Sequence, residues 1–187
     1  WDWQPDDQNL FVSEELEQAL GHPPGTLTEA AADSLLDIMH PADRAADLGL
    51  EMATLSDATI ASLNEVLPAS WSHGNPVDII GDATSGRYAA ALEKAAADPN
   101  VDGVLVILTP QAMTDVENTA ELLIKTEKTT DKPLLASFMG EARVRSSIER
   151  LKAAGIPNFS YPETAVKAFK RLADYQAWRG RKEDTAP

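Results

Sequence analysis

Two short stretches of the chain place polar side chains immediately after apolar runs. Residues 109–114 read Thr-Pro-Gln-Ala-Met-Thr and follow the run Val-Leu-Val-Ile-Leu at 104–108. Residues 81–84 read Gly-Asp-Ala-Thr and follow Ile79 and Ile80. Each stretch leads into a segment with helical spacing, and the first N–H groups of a helix lack intrahelical partners and carry partial positive charge. This arrangement suits an anion such as a phosphoryl group.

The turn at 109–114 offers neutral donors to such an anion. Thr109, Gln111 and Thr114 carry hydroxyl and amide groups, and no carboxylate lies within the turn itself. Ordinary turns between a strand and a helix also need a capping residue and polar loop residues. On chemistry alone, an anion seat and a plain structural turn therefore both stay open.

Other reactive residue types are too scattered to indicate a site. His22, His40 and His73 lie far apart in the sequence, which does not suggest a metal site, and the chain has no cysteine for a thiolate or a disulfide. Glycine-rich dinucleotide loops, Walker loops and Gly-x-Ser-x-Gly elbows are all missing from the sequence. A Rossmann dehydrogenase and an α/β-hydrolase are disfavoured.

From residue 75 onward, strand-like and helix-like blocks alternate, which predicts βαβ units and a mainly parallel sheet. The apolar, β-branched end of the second strand-like block, residues 101–108, predicts a central strand that is covered on both faces. The last strand contains a proline and suits an edge. The expected strands are 75–80, 101–108, 134–139 and 156–161, and the expected helices are 86–98, 115–128, 142–154 and 162–178.

The first part of the chain is less regular. Helical spacing predicts helices at 13–20 and 27–39, and a strand-like run at 48–55 precedes a capped helix at 56–66. Residues 67–74 read as a linker. We therefore expect a helical N-terminal extension at 1–47, an α/β domain at 48–178 and a C-terminal tail at 179–187.

Composition narrows the classes of function. The 187 residues suit one domain with an extension, and 30 acidic against 16 basic residues give a net charge of −14. This charge would repel a nucleic-acid backbone, so we expect no nucleic-acid partner. The sequence has neither a signal peptide pattern nor an apolar run of membrane-spanning length. We expect no membrane partner and a cytoplasmic location, and assembly of the chain into a homo-oligomer stays open.

Several short motifs occur together in an order that resembles one known family. They read Asn-Pro-Val-Asp at 75–78, Gly-Asp-Ala-Thr at 81–84, Asp-Pro-Asn-Val-Asp at 98–102, Thr-Pro-Gln-Ala-Met-Thr at 109–114 and Lys-Pro-Leu-Leu-Ala-Ser-Phe-Met-Gly at 132–140. This part of the chain is similar to the CoA-ligase domain of NDP-forming acyl-CoA synthetases, the acetate–CoA and succinate–CoA ligases. The resemblance implies a flavodoxin-like three-layer α/β sandwich with a mainly parallel sheet.

The resemblance also implies a role. In this family, an acyl-CoA, a phosphohistidine loop and an ATP-grasp domain exchange a phosphoryl group, and loops of this domain receive the phosphohistidine. The complete enzyme uses CoA and ATP or ADP with Mg, which implies CoA-binding and ATP-grasp domains or subunits as partners. This domain would hold no cofactor tightly and would be inactive alone. By the resemblance, the residues that bind the phosphohistidine loop are Gly81, Asp82, Thr84, Thr109, Gln111, Met113 and Thr114.

The sequence departs from the family pattern in two places. Full-length relatives have a strand and an Asn-Ala-Gly-Gly-Pro-Gly type loop before the segment at 50–55, whereas this chain passes from 35–41 directly into 42–49, which resembles the tail of the helix after that loop. The phosphohistidine loop of active relatives is only approximated by Gly-His-Pro-Pro-Gly at 21–25, which contains His22. These departures keep two alternatives open: a catalytically degenerate regulatory or scaffolding module, and a flavodoxin-like module that binds flavin or another small anion.

Overall fold

The computed structural model describes residues 2–4, 9–11, 42, 45–46, 48–112 and 114–183. By its internal contacts, the chain divides into two units, Trp1–Arg44 and Ala45–Pro187, which we describe separately. The predicted helices at 13–20 and 27–39 lie outside the described residues, as do His22, His40, Met113 and the junction at 39–41.

The first unit contains a small antiparallel pair of strands. Strand β1 (Asp2–Gln4) pairs with β2 (Asn9–Phe11), and Asp2 lies opposite Phe11. The sequence pattern predicts neither strand, because runs this short give no measurable period.

The second unit is built on a parallel sheet, as predicted. Strand β3 (Val104–Leu108) pairs in parallel with β4 (Leu134–Phe138), so that Val104 lies opposite Leu134 and Leu108 opposite Phe138. A single parallel bridge joins Ala136 to Asn158 on the other side of β4. Both strands therefore end at the same edge of the sheet, which places the turns that follow them side by side.

The expectation that 101–108 forms the central strand, covered on both faces, is wrong for the described residues. Strand β4 has neighbours on both sides and is buried along its whole length. The outer edge of β3 has no ladder partner among these residues, and Ile107 is 37% exposed. The backbone groups of Leu105 and Ile107 point away from β4, because alternate residues of a parallel strand bond to opposite sides.

Helices α1 (Asp57–Asn64), α2 (Ser85–Ala97) and α3 (Val116–Glu127) confirm the predicted pattern to within two residues at each end. The expected helix at 142–154 divides into a 3₁₀ turn (Glu141–Arg143) and helix α4 (Arg145–Ala153). Helix α5 (Pro162–Glu183) continues beyond its predicted end. None of the helices among the described residues is long and apolar enough to cross a membrane.

Side chains cap the first three of these helices. Ser56 accepts a hydrogen bond from Thr59 N, Thr84 from Arg87 N, and Asp115 from Asn118 N. Each bond satisfies one of the backbone donors that a helix start leaves without a partner. These caps fix where the loops after the strands end and where the helices begin.

The main core lies between the sheet and helices α2, α3 and α4. Leu108, Ala120, Leu123, Phe138 and Leu151 are at most 1% exposed and belong to one cluster. Leu135 and Ser137 point to the opposite face of β4, where α5 contacts the sheet. A second cluster surrounds the buried Trp71 and includes Leu55, Leu63 and Val101.

Three segments with strand-like sequences do not form strands. Residues 50–56 and 77–80 have no assigned regular structure, and within 156–161 only Asn158 makes a bridge. Bonds between side chains and backbone replace a ladder: Asn75 Nδ2 donates to Ala53 O at 3.0 Å, and Asn100 Nδ2 donates to Thr54 O at 2.9 Å. A strand-like sequence is thus compatible with a ladder but does not by itself ensure one.

Asp98, which ends α2, ties the loop before α1 to the loop before β3. Its buried carboxylate, in a residue that is 1% exposed, accepts hydrogen bonds from Ser56 N at 2.8 Å, Ser56 Oγ at 3.0 Å and Asn100 N at 2.8 Å. Burial alone would raise the pKa of Asp98, but hydrogen bonds from Thr59, Asn100 and Ser56 outweigh burial and lower the pKa to about 2. The folded state therefore stabilises the charged carboxylate.

We expect the Asp98→Asn substitution to lower the free energy of unfolding by about 2 kcal/mol at neutral pH, because an amide N–H would face the donors of Ser56. The pKa of Asp98 is lower in the folded state than the ordinary value of 3.8, so its contribution is complete above that pH and is lost as the pH falls toward about 2. Urea unfolding at several pH values should show the difference between wild type and variant shrinking in acid.

The exposed Asp102 in the same region supplies the matched control. Asp102→Asn should change the free energy of unfolding by no more than about 0.5 kcal/mol at any of these pH values. An equal effect of the two substitutions would contradict the special role of Asp98.

Candidate functional site

A cavity of about 280 Å³ opens at the carboxyl end of β3. One wall is the loop at 77–83, and the other is formed by Ile107 and the turn at 109–114. Ligands of open α/β sheets gather at this edge. The residues of the predicted site that line the cavity are Gly81, Thr109, Gln111 and Thr114. The other three predicted site residues are not among the lining residues: Asp82 and Thr84 belong to the adjoining loop, and Met113 lies outside the described residues.

The turn at 109–114 is closed by its own hydrogen bonds. Gln111 N donates to Thr114 Oγ at 2.9 Å, and Thr114 N donates to Gln111 O at 3.1 Å. Two of the backbone donors that the sequence offered to an anion are thus used inside the turn. The hydroxyls of Thr109 and Thr114 and the side-chain amide of Gln111 remain as donors toward the cavity.

The positive end of α3 is already occupied by a carboxylate. Asp115 accepts a hydrogen bond from Asn118 N at 3.0 Å, and Glu117 adds a second acidic residue to the first turn. These charges stabilise the helix but repel an incoming anion. The start of α3 is therefore less suited to an anion than the partial positive charge of a helix start alone would indicate.

The start of α2 is better suited to bind an anion than the start of α3. Its cap is the neutral Thr84, and its first turn contains no acidic residue. Ser85 Oγ accepts a hydrogen bond from Asn118 Nδ2 at 2.7 Å, which links the first turns of α2 and α3. The two helix starts are thus held next to each other behind the two predicted loops.

Asp82 makes an internal ion pair. Its carboxylate lies 2.5 Å from Arg87 Nη1, and the same nitrogen donates to Ile79 O at 3.0 Å. The pair is largely exposed on the Asp82 side, so we assign it little stabilising energy. Its effect is to fasten the loop to α2, and Asp82 is therefore not free to contact a ligand without breaking this pair.

Asp78 and Tyr88 are cavity residues that were not predicted as part of the site. Asp78 Oδ1 accepts a hydrogen bond from Ile80 N at 2.8 Å, which confirms the expectation that Asp78 caps nearby backbone groups. Burial, and secondly the charge of Asp78, raises the pKa of Tyr88. The Tyr88 hydroxyl therefore keeps its proton at neutral pH and can donate a hydrogen bond into the cavity.

A second loop, which follows β4, supports the turn at 109–114. Arg143 Nη2 donates to Gln111 O at 3.0 Å. Gly140 has a φ of +117°, and a Cβ atom placed on it would lie 2.9 Å from Pro110 Cγ. The sequence pattern gave no signal for either contact, because both join loops that follow different strands.

The cavity is lined by apolar and neutral polar residues and by one carboxylate, that of Asp78. The residues that line the cavity include no histidine, lysine, arginine or cysteine. No group of three or more potential metal ligands occurs among the described residues. His73, as predicted, is exposed, and its ring nitrogens each lie 3.0 Å from an oxygen, Asn64 Oδ1 and Ala69 O.

Comparison with known families supports the resemblance that the motifs indicated. The family model described as the Ligase-CoA domain matches residues 28–183. The matched range includes both predicted loops and every element of the second unit that carries the cavity.

Several named proteins are similar in sequence. The chain is 40% identical over 134 residues to acetate–CoA ligase [ADP-forming] I of Archaeoglobus fulgidus, which covers 72% of this chain and 19% of that protein. It is 32% identical over 169 residues to acetate–CoA ligase [ADP-forming] II subunit alpha of Pyrococcus furiosus, which covers 87% of this chain and 36% of that subunit. The chain therefore spans well under half the length of these relatives.

Solved structures agree with the fold. The apo form of the dinucleotide-forming acetyl-coenzyme A synthetase 1 of Ca. Korarchaeum cryptofilum has a TM-score of 0.72 and 25% sequence identity, and the match covers 79% of this chain and 33% of that chain. The same synthetase has also been solved in complex with phosphate and ADP, with a TM-score of 0.71. The flavodoxin-like α/β class expected from the sequence is confirmed.

We expect Gly140→Ala to loosen the turn at 109–114 and to cost about 1–3 kcal/mol of unfolding free energy. An alanine would be strained at a φ of +117°, and its Cβ would press on Pro110. Urea unfolding measures the cost, and hydrogen exchange at the Gln111 amide reports on the turn.

Gly81→Ala is the control for this substitution. A Cβ atom at Gly81 meets nothing within 4 Å, so the same chemical change should leave stability within about 0.5 kcal/mol of wild type. If Gly140→Ala were equally silent, the contact with Pro110 would not be holding the turn.

Proposed function

Because the chain belongs to the Ligase-CoA domain family, we propose that it acts as one domain or subunit of an NDP-forming acyl-CoA synthetase of the acetate–CoA or succinate–CoA ligase type. In this proposal, its cavity receives the phosphohistidine loop during phosphoryl transfer between acyl-CoA and ADP or ATP. The observation that carries the proposal is that both predicted loops line one cavity beside two linked helix starts.

The residues of the cavity suit a temporary anion site. The neutral side chains of Thr109, Gln111 and Thr114 can hydrogen-bond a phosphoryl group without neutralising it, and the start of α2, which has no acidic residue in its first turn, follows the loop at 77–83. Tyr88 adds one neutral donor. Hydrogen bonds of this kind hold an anion in place but leave its charge for the next transfer step, so the group is released again.

The larger ligands of such an enzyme belong to companion domains. Nucleotide phosphates and CoA are usually met by lysine, arginine or a metal ion. The residues that line this cavity include no lysine or arginine, which disfavours a resident nucleotide there. We infer that the partners are the CoA-binding and ATP-grasp domains or subunits, and that they hold CoA, the nucleotide and Mg.

One observation favours a second candidate function. The start of α3 is occupied by the carboxylate of Asp115, and the turn at 109–114 uses two of its own donors. A catalytically degenerate domain that serves as a regulatory or scaffolding module would tolerate these features. In that case the chain would bind its partner domains without distinguishing phosphorylated from unphosphorylated histidine.

A binding experiment tests the docking role. A peptide built around Ser-His-Thr-Gly, with a stable phosphoryl-triazolylalanine in place of the histidine, should bind the full chain at least about tenfold more tightly than the unphosphorylated peptide. Thr109→Val should reduce this preference because it removes a donor from the cavity. Calorimetric titration measures both affinities.

Thr129→Val is the matched control, because Thr129 is an exposed threonine after the far end of α3. Its affinity for both peptides should equal that of wild type. Equal affinity of the wild-type chain for the two peptides would contradict the docking role and support the scaffolding alternative.

A ligation experiment tests the place of the chain in the enzyme. The chain alone, given acetate, ATP, Mg and CoA, should form no acetyl-CoA, because its cavity provides no histidine to carry a phosphoryl group and no lysine or arginine to bind a nucleotide. Addition of polypeptides that carry the CoA-binding and ATP-grasp domains should give acetyl-CoA, detected by chromatography. If no such partner gave acetyl-CoA, the proposal that the chain takes part in catalysis would be contradicted.

A further inference from the structure

We propose that Arg143 is a positioning residue for the turn at 109–114 and also supplies the positive charge that this turn needs to receive an anion. The second half of this inference rests on the proposed docking function. The first half concerns the turn alone and can be tested without any partner.

Arg143 hydrogen-bonds to Gln111, a residue inside the turn at 109–114. Gln111 O accepts one bond from Thr114 N at 3.1 Å and a second from Arg143 Nη2 at 3.0 Å. Gln111 N is bound to Thr114 Oγ at 2.9 Å. Both backbone polar groups of Gln111 are thus held, and Arg143 provides the single contact among them that comes from outside the turn.

The loop that carries Arg143 is itself fixed against the turn. Phe138 lies opposite Leu108 in the parallel register, so the loops after β3 and β4 start side by side. Pro110 packs against Gly140, where even a methyl group would lie 2.9 Å from Pro110 Cγ. Arg143 therefore reaches Gln111 from a short, well-supported loop and loses little additional side-chain freedom on bonding.

The charges around the turn explain why a cation is needed there. Asp115 and Glu117 put two negative charges at the start of α3, and the chain as a whole has a net charge of −14. An approaching phosphoryl group is repelled by both the local and the overall charge. The guanidinium of Arg143 has five N–H donors, of which the described contacts use one, so it can offset this repulsion.

The other arginines near the site do not fill this role. Arg87 is engaged with Asp82 and Ile79 O in the opposite loop. Arg145 lies two residues beyond Arg143 and is exposed, and the described contacts do not join it to the turn. Arg145 is therefore the natural control, since its loss removes the same charge two residues away, at the first residue of α4.

The first experiment measures hydrogen exchange at the Gln111 and Thr114 amides of the full chain. Arg143→Gln should speed exchange at these amides by about tenfold, whereas Arg145→Gln should leave it unchanged. Thermal unfolding of both variants checks that the fold is retained. If the Gln111 and Thr114 amides exchanged at the same rate in Arg143→Gln and Arg145→Gln, the positioning role would be overturned, whatever the result of the peptide-binding experiment.

The second experiment measures binding of the phosphoryl-triazolylalanine peptide between about 0.05 and 0.5 M salt. Arg143→Gln should weaken binding by about tenfold at low salt, and this loss should shrink as salt rises because salt screens the repulsion that Arg143 offsets, whereas Arg143→Lys should keep the salt dependence of wild type. A merely structural residue would not change the salt dependence. If Arg143→Gln and Arg145→Gln had the same salt dependence, the charge role would be overturned.

The two experiments separate failure of this inference from failure of the docking function. If the wild-type chain does not prefer the phosphorylated peptide, the docking function and the charge role fall together. Hydrogen exchange still decides the positioning role in that case, because it requires no ligand.

Discussion

The parallel register of β3 and β4 is the constraint on which the candidate site depends. Because Leu108 lies opposite Phe138, both strands end at one edge, and the loops that follow them have to meet. The contact between Pro110 and Gly140 and the hydrogen bond from Arg143 to Gln111 both follow from this register. A shift of one residue would reverse the faces of one strand, burying Ile107 in place of Leu108, and would also separate the two loops. The site is therefore a product of the sheet rather than of either loop alone.

Outside the sheet, hydrogen bonds from single polar side chains hold the loops in place. The segments at 50–56 and 77–80 lack ladder partners among the described residues, and single side chains hold them instead: Asp98 binds Ser56, and Arg87 binds Ile79 O. A β-ladder distributes its stabilisation over many equivalent backbone hydrogen bonds, whereas each of these segments depends on one or two side chains. The wall of the cavity at 77–83 thus depends on a few individual side chains far more than the wall formed by β3 does.

The sequence predicted what depends on local pattern. The helices at 85–97 and 116–127 and the strands at 104–108 and 134–138 were recognisable because the apolar spacing lies within each segment. The loops of the site were recognisable because they follow those strands. The capping of α3 by Asp115 was visible as a favourable charge, but its consequence for an anion became clear only from the bond to Asn118.

Contacts between distant segments could not be predicted in this way. Arg143 and Gln111 are joined only by the sheet, and Asp98 meets Ser56 only when α1 packs beside α2. Strand-like composition at 75–80 suggested a ladder, yet residues 77–80 form none. The sequence lacks the earlier strand and glycine-rich loop of the family pattern, and the outer edge of β3 has no ladder partner among the described residues.

The outer edge of β3 also matters for the behaviour of the protein at high concentration. Strand edges without charged residues or proline readily pair with edges of other molecules, and Val104–Leu108 contains neither. Between copies that each have a net charge of −14, long-range repulsion opposes such pairing. That repulsion extends about 10 Å in 0.1 M salt but only about 3 Å in 1 M salt. Among the described residues this edge has no ladder partner, so the acidity of the chain opposes edge-to-edge pairing between copies, and this opposition weakens as the salt concentration rises.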